Sequence, residues 1–403
     1  MRCGTCSTVC PSFLADRRES RSPRGRMALI EAVLDGRLPT SDLYHDRLAT
    51  CVGCLACEAA CASKVPVTAI IHAAREEAVR ERGRSVIEEV IRTSLAHRGL
   101  LQAFSWLAPT ALHFGKGSVR GRSLQNAPRK LRSGGRKGPR GFVALFAGCA
   151  IRSMRQDIGH DVIEVLEALG YGVVIPSGLE CCGRPLLSLG DAKAAKELAE
   201  RNAEILSGSG ADAVVTACAS CGLTLKKEYP GLLEGRGAVL IPVLDIHELL
   251  DREADRLRLL VPLPLTATWH EPCHLGRGQG LGGTAKRALH AIPGLSIVDM
   301  ERPDRCCGFG GVMRATHPGM SKAIGSDKAR DILQTGAEAV VTGCPGCMMQ
   351  IADSLRREGA PMPVLHTVQV IAAALCAAGQ GDTVTGRHEA EPVTAGFSLR
   401  KKR

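Results

Sequence analysis

Four cysteines between positions 51 and 61 constrain this chain more than any other feature. Cys51, Cys54, Cys57 and Cys61 stand in the pattern C-x2-C-x2-C-x3-C. Its three-residue steps point three thiolates at one cubane iron–sulfur cluster, while the fourth begins the next helix and faces another cluster. The motif therefore needs a partner set, and Cys3, Cys6 and Cys10-Pro11 supply it upstream as C-x2-C-x3-C-P. Ligands are expected to cross between the two: Cys51, Cys54 and Cys57 with Cys10 around one cluster, Cys3 and Cys6 with Cys61 around the other. Two C-x2-C pairs can also make a tetrahedral zinc site. Zinc ribbons, however, separate their pairs by about a dozen residues or more, and three cysteines at strict three-residue steps fit that spacing poorly.

At 403 residues, with 45% apolar and 23% charged side chains, the chain has room for two or three packed domains. Only 3% of residues are aromatic against 45 glycines, which suits small α/β units with tight turns and disfavours a base-stacking surface. The net charge of +11 would fit an anionic partner, but no RNA-binding signature stands beside it, so nucleic acid is not expected as a ligand. Eighteen cysteines without an apolar leader ahead of the first motif point to a reducing compartment. No run of about eighteen apolar residues occurs, so any membrane contact should be peripheral.

Ser22-Pro23 reads as a helix cap and first turn opening a helix over Arg24 to Leu34, which Asp35-Gly36 closes. A second helical run, Thr68 to Arg82, follows the main cysteine motif and completes a module over residues 1–82. With so little chain to bury, bound metal should contribute much of its folding free energy. Ile87, Val90, Ile91, Leu95, Leu101, Phe104 and Leu107 recur at helical spacing as far as Pro109, which predicts a connecting helical segment packed on its own domain. From Gly115 to Gly141 the chain holds nine Lys or Arg, no acid and many glycines, and reads as a solvated linker. Residues 83–141 are thus a connector, and 380–403 a flexible tail.

From Gly141 onward the chain says the same thing twice. In the first copy, strand Phe142 to Ala147 meets Cys149; Cys181-Cys182-Gly183 follows; strand Ala213 to Ala217 runs into Cys218 and Cys221. In the second, Leu265 to Trp269 meets Cys273; Cys306-Cys307-Gly308 follows; Ala339 to Thr342 runs into Cys344 and Cys347. The steps between cysteines are 32, 1, 36 and 3 residues against 33, 1, 37 and 3. Self-similarity at this period means duplicated domains, here 142–254 and 255–379. Strands alternate with helical runs such as Asp157 to Leu169 and Ala192 to Leu206, so each copy should be a small α/β domain with a largely parallel sheet. All ten cysteines then fall at or after strand ends, where open α/β sheets bind ligands. Adjacent thiols rarely make a good disulfide, and buried free cysteines need no repeated glycine beside them. Each set is therefore read as ligand or redox-active.

Cys376 lies in an alanine-rich apolar run and should be core. His270, Glu271 and His274 bracket Cys273, and either a tuning or ligating role or a capping and hydrogen-bonding one is open to them. His247 and His366 follow the Pro-Val-Leu of each copy at different offsets, which argues against a shared ligand role.

Paired C-x31-32-C-C-G-x34-36-C-x2-C units resemble the cysteine-rich domains of heterodisulfide reductases and related iron–sulfur oxidoreductases. The whole order, C-G-T-C-S-T-V-C-P, S-P-R-G-R-M, C-V-G-C-L-A-C and the two Cys-Cys-Gly units, resembles the iron–sulfur subunits of bacterial glycolate oxidases over nearly the full chain. The resemblance implies an α-helical ferredoxin-like module followed by two duplicated small α/β domains. It implies two 4Fe-4S clusters on the ferredoxin-type cysteines, with further, non-cubane clusters open to Cys149, Cys181, Cys182, Cys218, Cys221, Cys273, Cys306, Cys307, Cys344 and Cys347. It also implies a cytoplasmic protein, at most peripheral on the inner face of the membrane, that passes electrons from flavin-binding oxidase subunits toward a quinone or other acceptor. Complexes oxidising lactate or glycerol-3-phosphate, or of heterodisulfide reductase type, are the alternatives. No G-x-G-x-x-G follows a predicted strand and no nucleophile–base–acid set is visible, so no catalytic residue is assigned and no self-contained substrate site is expected. Ala62 stands where proline commonly follows the fourth cysteine, a change to the turn and not to a ligand.

The upstream motif lacks one thiolate. Counting back three positions from Cys3 places it immediately before Met1, so a cysteine is expected there, with Met1 internal to a C-M-R-C sequence. The genomic codon preceding Met1 checks this: any other residue leaves a site held by Cys3, Cys6 and Cys61 alone.

Overall fold

The computed structural model describes residues 3–96, 131, 133–234, 239 and 241–378, with an antiparallel pair joining Ser118–Val119 to Arg122–Ser123. Leu101, Phe104, Leu107, Pro109, most of the basic stretch, the tail and the side chain of Cys376 lie outside the described residues.

The N-terminal unit is helical. Ser22 caps the helix Pro23–Leu34, its Oγ accepting the Gly25 N–H at 2.9 Å, and Pro23 occupies the first turn, where a missing N–H costs nothing. Ser41 does the same for Asp42–Ala49, and Val67–Arg82 completes the unit. These helices close on a core of Ile30, Tyr44, Leu48, Val67, Ile71 and Ala78, in which Cys57 is also buried. A core this small leaves a sulfur site to supply part of the cohesion. The following helix, Val86–Ala96, leaves Val86, Ile87 and Val90 exposed. Glu88 turns inward to His45, 3.5 Å away, and Arg84 pairs with Asp191 of the next unit at 3.2 Å.

The remainder forms two four-stranded parallel sheets. The first contains β1 (Phe142–Leu145), β2 (Gly172–Val174), β3 (Ala213–Thr216) and β4 (Val243–Asp245); the second contains β5 (Leu265–His270), β6 (Leu295–Val298), β7 (Ala339–Thr342) and β8 (Val364–His366). Their spatial orders, β2-β1-β3-β4 and β6-β5-β7-β8, are the same, and so is the pairing: Val143 lies opposite Ala213 as Ala267 lies opposite Ala339. The duplication in the sequence is thus a duplication of topology. β1, β3 and β7 are buried throughout, which explains their near-continuous apolar runs. In each sheet the order reverses between the first and third strands, opening a crevice at their carboxyl ends.

The two sheets meet reciprocally. The helix after β1, Gln156–Ala168, packs on the helix after β8, Thr367–Ala378, while Ile246–Arg252 after β4 packs on Thr284–His290 from the second copy. One continuous apolar core runs through both domains. His247 and His366, non-equivalent along the chain, face each other across this interface at 5.9 Å between ring centroids. His247 bridges Asp245 (2.6 Å) and Thr367 (3.0 Å), and the His366 Nε2–H donates to the Ala217 carbonyl (3.0 Å). Their role is to join the sheets.

The repeated Cys-Cys-Gly has a backbone reason. Gly183 and Gly308 sit at φ +90° and +88°, a region that side chains rarely adopt. A Cβ on Gly308 would stand 2.9 Å from the Ser321 carbonyl oxygen and from Cβ of Ile324. We expect Gly308→Ala to be more destabilising than Gly336→Ala, which also has positive φ (+65°) but open space around it, by about 1–3 kcal/mol, chiefly of overpacking. Thermal unfolding of the two variants side by side checks the order.

Candidate iron-sulfur centres

Ten cysteines converge on the crevices at the strand ends. In the first domain Cys149 follows β1, Cys181 and Cys182 lie in the segment after β2, and Cys218 caps the short helix Ala219–Leu223 that carries Cys221. In the second, Cys344 caps Pro345–Arg357, whose first turn holds Cys347. A widened π-type turn, His274–Gly278, directly follows Cys273.

Within each set the thiols are close enough to share protons. Cys149 and Cys181 sulfurs are 3.6 Å apart. Donation to Cys149 and Cys182, together with burial, pushes the Cys181 thiol far above its ordinary value, and the two acceptors fall below theirs. Cys306 repeats this between Cys273 and Cys307. All of these sulfurs except those of Cys149 and Cys273 belong to buried residues, and each of the seventeen described cysteines is a free thiol. Five adjacent thiols in a largely buried crevice cannot all ionise without a cation to offset them, so the donor set suits thiolate-bound iron.

The two sets share one space. A cavity of about 110 Å³ is lined by Cys149, Cys182, Cys218 and Cys221 from the first domain and by Cys273, Cys306, Cys307, Cys344 and Cys347 from the second. Cys218 and Cys344 interact across it, and the contact draws the Cys344 thiol well below its ordinary value. Gly148, at φ +66°, brings backbone close to the first set; a Cβ there would lie 2.8 Å from the Cys221 sulfur.

The N-terminal unit abuts the second set directly. Cys10, Cys51, Cys54 and Cys57 line one small cavity with Pro11, Arg26 and Ile71, so the structure brings Cys10 to the three evenly spaced cysteines. Burial, reinforced by the neighbouring Cys51, Cys54 and Cys10, raises the Cys57 thiol. Cys54 also reaches the second domain: it accepts from Cys306 and packs with Cys306, Val52, Met313 and Ile324 in a cluster joining the two units. Cys3 is exposed beside the Thr5 hydroxyl at 3.4 Å, while Cys6 and Cys61 are half-buried. Arg24 lies near Cys3 and Cys6.

Several residues hold the three units in register without any motif to announce them. His274 Nε2–H donates to the Gly53 carbonyl at 3.0 Å and its Nδ1 accepts from Ser220 at 2.9 Å, so one imidazole touches all three units. Burial lowers its pKa and keeps it neutral, as this arrangement requires. Arg277 donates to the Cys54 carbonyl at 2.9 Å. Glu271 accepts from the Gly283 N–H at 3.2 Å and orders the turn after Cys273. Arg26 and Arg75 are buried around the N-terminal sulfur site, where fixed positive charge would offset that of an anionic cluster, while the buried Arg184, paired with Glu228, lines the cavity of the two Cys-Cys-Gly sets. In the sequence these arginines are ordinary members of helical runs; that they point inward follows from docking.

Two family models match. A 4Fe-4S dicluster domain spans residues 1–65, and a cysteine-rich domain matches twice, at 143–226 and 267–352. The chain is 32% identical to a fumarate reductase (CoM/CoB) subunit of Methanothermobacter marburgensis, over 89% of this chain and 68% of the relative. It is 29% identical to a probable glycolate oxidase iron-sulfur subunit of Bacillus subtilis, over 89% of each chain. A crystal structure of a hypothetical protein from Helicobacter pylori shares the fold, with a TM-score of 0.57 at 12% identity over 87% of this chain and 67% of that one.

Arg75 offers the sharpest test of how the units are held. Its guanidinium reaches the carbonyls of Leu48 (2.6 Å), Cys51 (2.8 Å) and, in the neighbouring domain, Ser188 (3.2 Å), and burial pushes its pKa down to about 10. Arg75→Met leaves those three carbonyls without their charged donor. The expected loss is on the order of 3 kcal/mol, read as a lower unfolding temperature together with faster proteolysis between the N-terminal unit and the rest.

Proposed function

The chain belongs to the family of iron–sulfur proteins that join a 4Fe-4S dicluster domain to paired cysteine-rich domains, electron-transfer subunits of oxidoreductase complexes, and from that premise we propose that it serves a complex oxidising a 2-hydroxy acid, glycolate foremost. The observation that carries the electron-transfer reading is contiguity: an exposed sulfur group at Cys3, a buried one at Cys10, Cys51, Cys54 and Cys57, and two more sharing a cavity, with Cys54 against Cys306 and Cys218 against Cys344. The glycolate assignment is supported by likeness to the Bacillus subtilis relative along 89% of both chains and by the motif order.

In this reading Cys10, Cys51, Cys54 and Cys57 hold one 4Fe-4S cluster, and Cys3, Cys6 and Cys61 contribute to the second. The two Cys-Cys-Gly sets hold further iron–sulfur groups. Bound clusters supply one-electron carriers. The chain's own part is to bring thiolates together, exclude water around them, and balance their charge with Arg26, Arg75 and Arg277. The domains run 1–82, 142–254 and 255–379, with a connector between the first two. Flavin-binding subunits deliver electrons, and a quinone or other acceptor removes them. No described helix is long and apolar enough to cross a membrane, so a membrane acceptor would be met peripherally.

The test is reconstitution. This chain alone should give no glycolate-dependent dye reduction, and addition of flavin-bearing subunits should establish it. Robust reduction by the isolated chain would sink the proposal. A complex that turns over a heterodisulfide but not glycolate would move the assignment to the heterodisulfide reductase type.

A further inference from the structure

The two Cys-Cys-Gly sets match in their cysteines but not in what closes them. Three positions before Cys149 stands Phe146; three positions before Cys273 stands His270. Both side chains are fully buried at the end of the first strand of their sheet. Phe146 is a core residue with nothing polar to satisfy. His270 stands in the equivalent place, and neither of its ring nitrogens makes a well-formed hydrogen bond. What the ring does face is the Cys307 thiol, which it helps to draw down.

A buried imidazole with both nitrogens unsatisfied is costly, and native cores rarely hold one without a reason. Its surroundings supply the reason. One ring nitrogen of His270 and the sulfurs of Cys307 and Cys347 all lie within 4.8 Å of one another, and all three residues are buried. Those sulfurs come from the segment after β6 and from the helix after β7, whereas the imidazole comes from β5, so the three converge from separate elements on one point. Such convergence of one nitrogen and two sulfurs suits a tetrahedrally inclined metal such as iron or zinc. Neutral imidazole also adds no charge to a crevice already crowded with thiols.

We propose that His270 is a nitrogen ligand to iron in the second Cys-Cys-Gly set, shared with Cys307 and Cys347, and that the first set has no counterpart because Phe146 stands there. The two sets are then chemically different sites: five sulfurs in one, five sulfurs and a nitrogen in the other. Replacing or supplementing thiolate with histidine alters the electronic character of an iron–sulfur group, so the duplicated domains would not be interchangeable carriers. This rests on the reading that the second set binds an iron–sulfur group.

The experiment uses the full chain enriched in 57Fe, as wild type, His270→Phe and His270→Cys, with iron and sulfide quantified and Mössbauer spectra recorded. The phenylalanine variant carries the first domain's own residue; the cysteine variant restores a donor of another kind. The expected result is a wild-type iron subsite that His270→Phe loses or changes, while His270→Cys keeps the wild-type iron content with that subsite altered. Superimposable spectra for all three would overturn the proposal, as would equal iron loss in both variants, which would mark His270 as a packing residue. Iron equal to the ferredoxin-type clusters alone in wild type overturns the underlying reading as well, and is distinguished from the other failures by the wild-type iron count itself.

Discussion

The structure depends on the cost of gathering many sulfurs in a largely buried crevice. A lone buried thiol is a small apolar group, but five in contact must share protons or find a cation. Cys181 and Cys306, each pushed strongly upward while its neighbours are pushed down, show that conflict directly. Features that look unrelated along the chain answer it: the contact of Cys218 with Cys344 across the two sets, buried arginines around Cys51, and glycines that let the backbone approach sulfur.

Topology makes the gathering possible. A parallel sheet whose strand order reverses at its centre places the ends of its first and third strands side by side. Cysteines 69 or 71 positions apart, Cys149 with Cys218 and Cys273 with Cys344, are therefore brought to one crevice. Duplication then sets two such crevices mouth to mouth, and the reciprocal helix contacts, with His247 and His366 between the sheets, keep them so. The N-terminal unit completes the enclosure. Its Val52 and Cys54 pack against Cys306 and Met313, so the buried N-terminal sulfurs adjoin those of the second domain.

Duplication did not make the halves identical. Asp245 ends β4 and His366 ends β8; Phe146 and His270 likewise differ at matching places. Each exchange converts an internal symmetry into a pairing or a distinction. Asp245 orients the histidine that reaches the second domain, and His366 returns a bond to the first.

What the sequence determined was local. The three-residue steps of Cys51, Cys54 and Cys57, the Ser22-Pro23 cap and the near-equal cysteine spacing of the two copies each express a relation between residues close together or regularly repeated, and such relations survive in one dimension. The first and third strands of each sheet and the helices beginning near Pro23, Val67, Gln156 and Ala192 were legible for the same reason, to within a residue or two at their ends, whereas the second and fourth strands, of three or four residues each, carry too short a pattern to read. Tertiary structure alone decided that Cys54 meets Cys306, that the two sets open into one cavity, that His274 touches three units, and that His270 brings one ring nitrogen close to the sulfurs of Cys307 and Cys347. These relations link residues from 37 to more than 200 positions apart, through docking between units whose mating faces carry no periodic signature. A histidine in a strand reads the same whether it pairs, packs or ligates until the elements around it are in place.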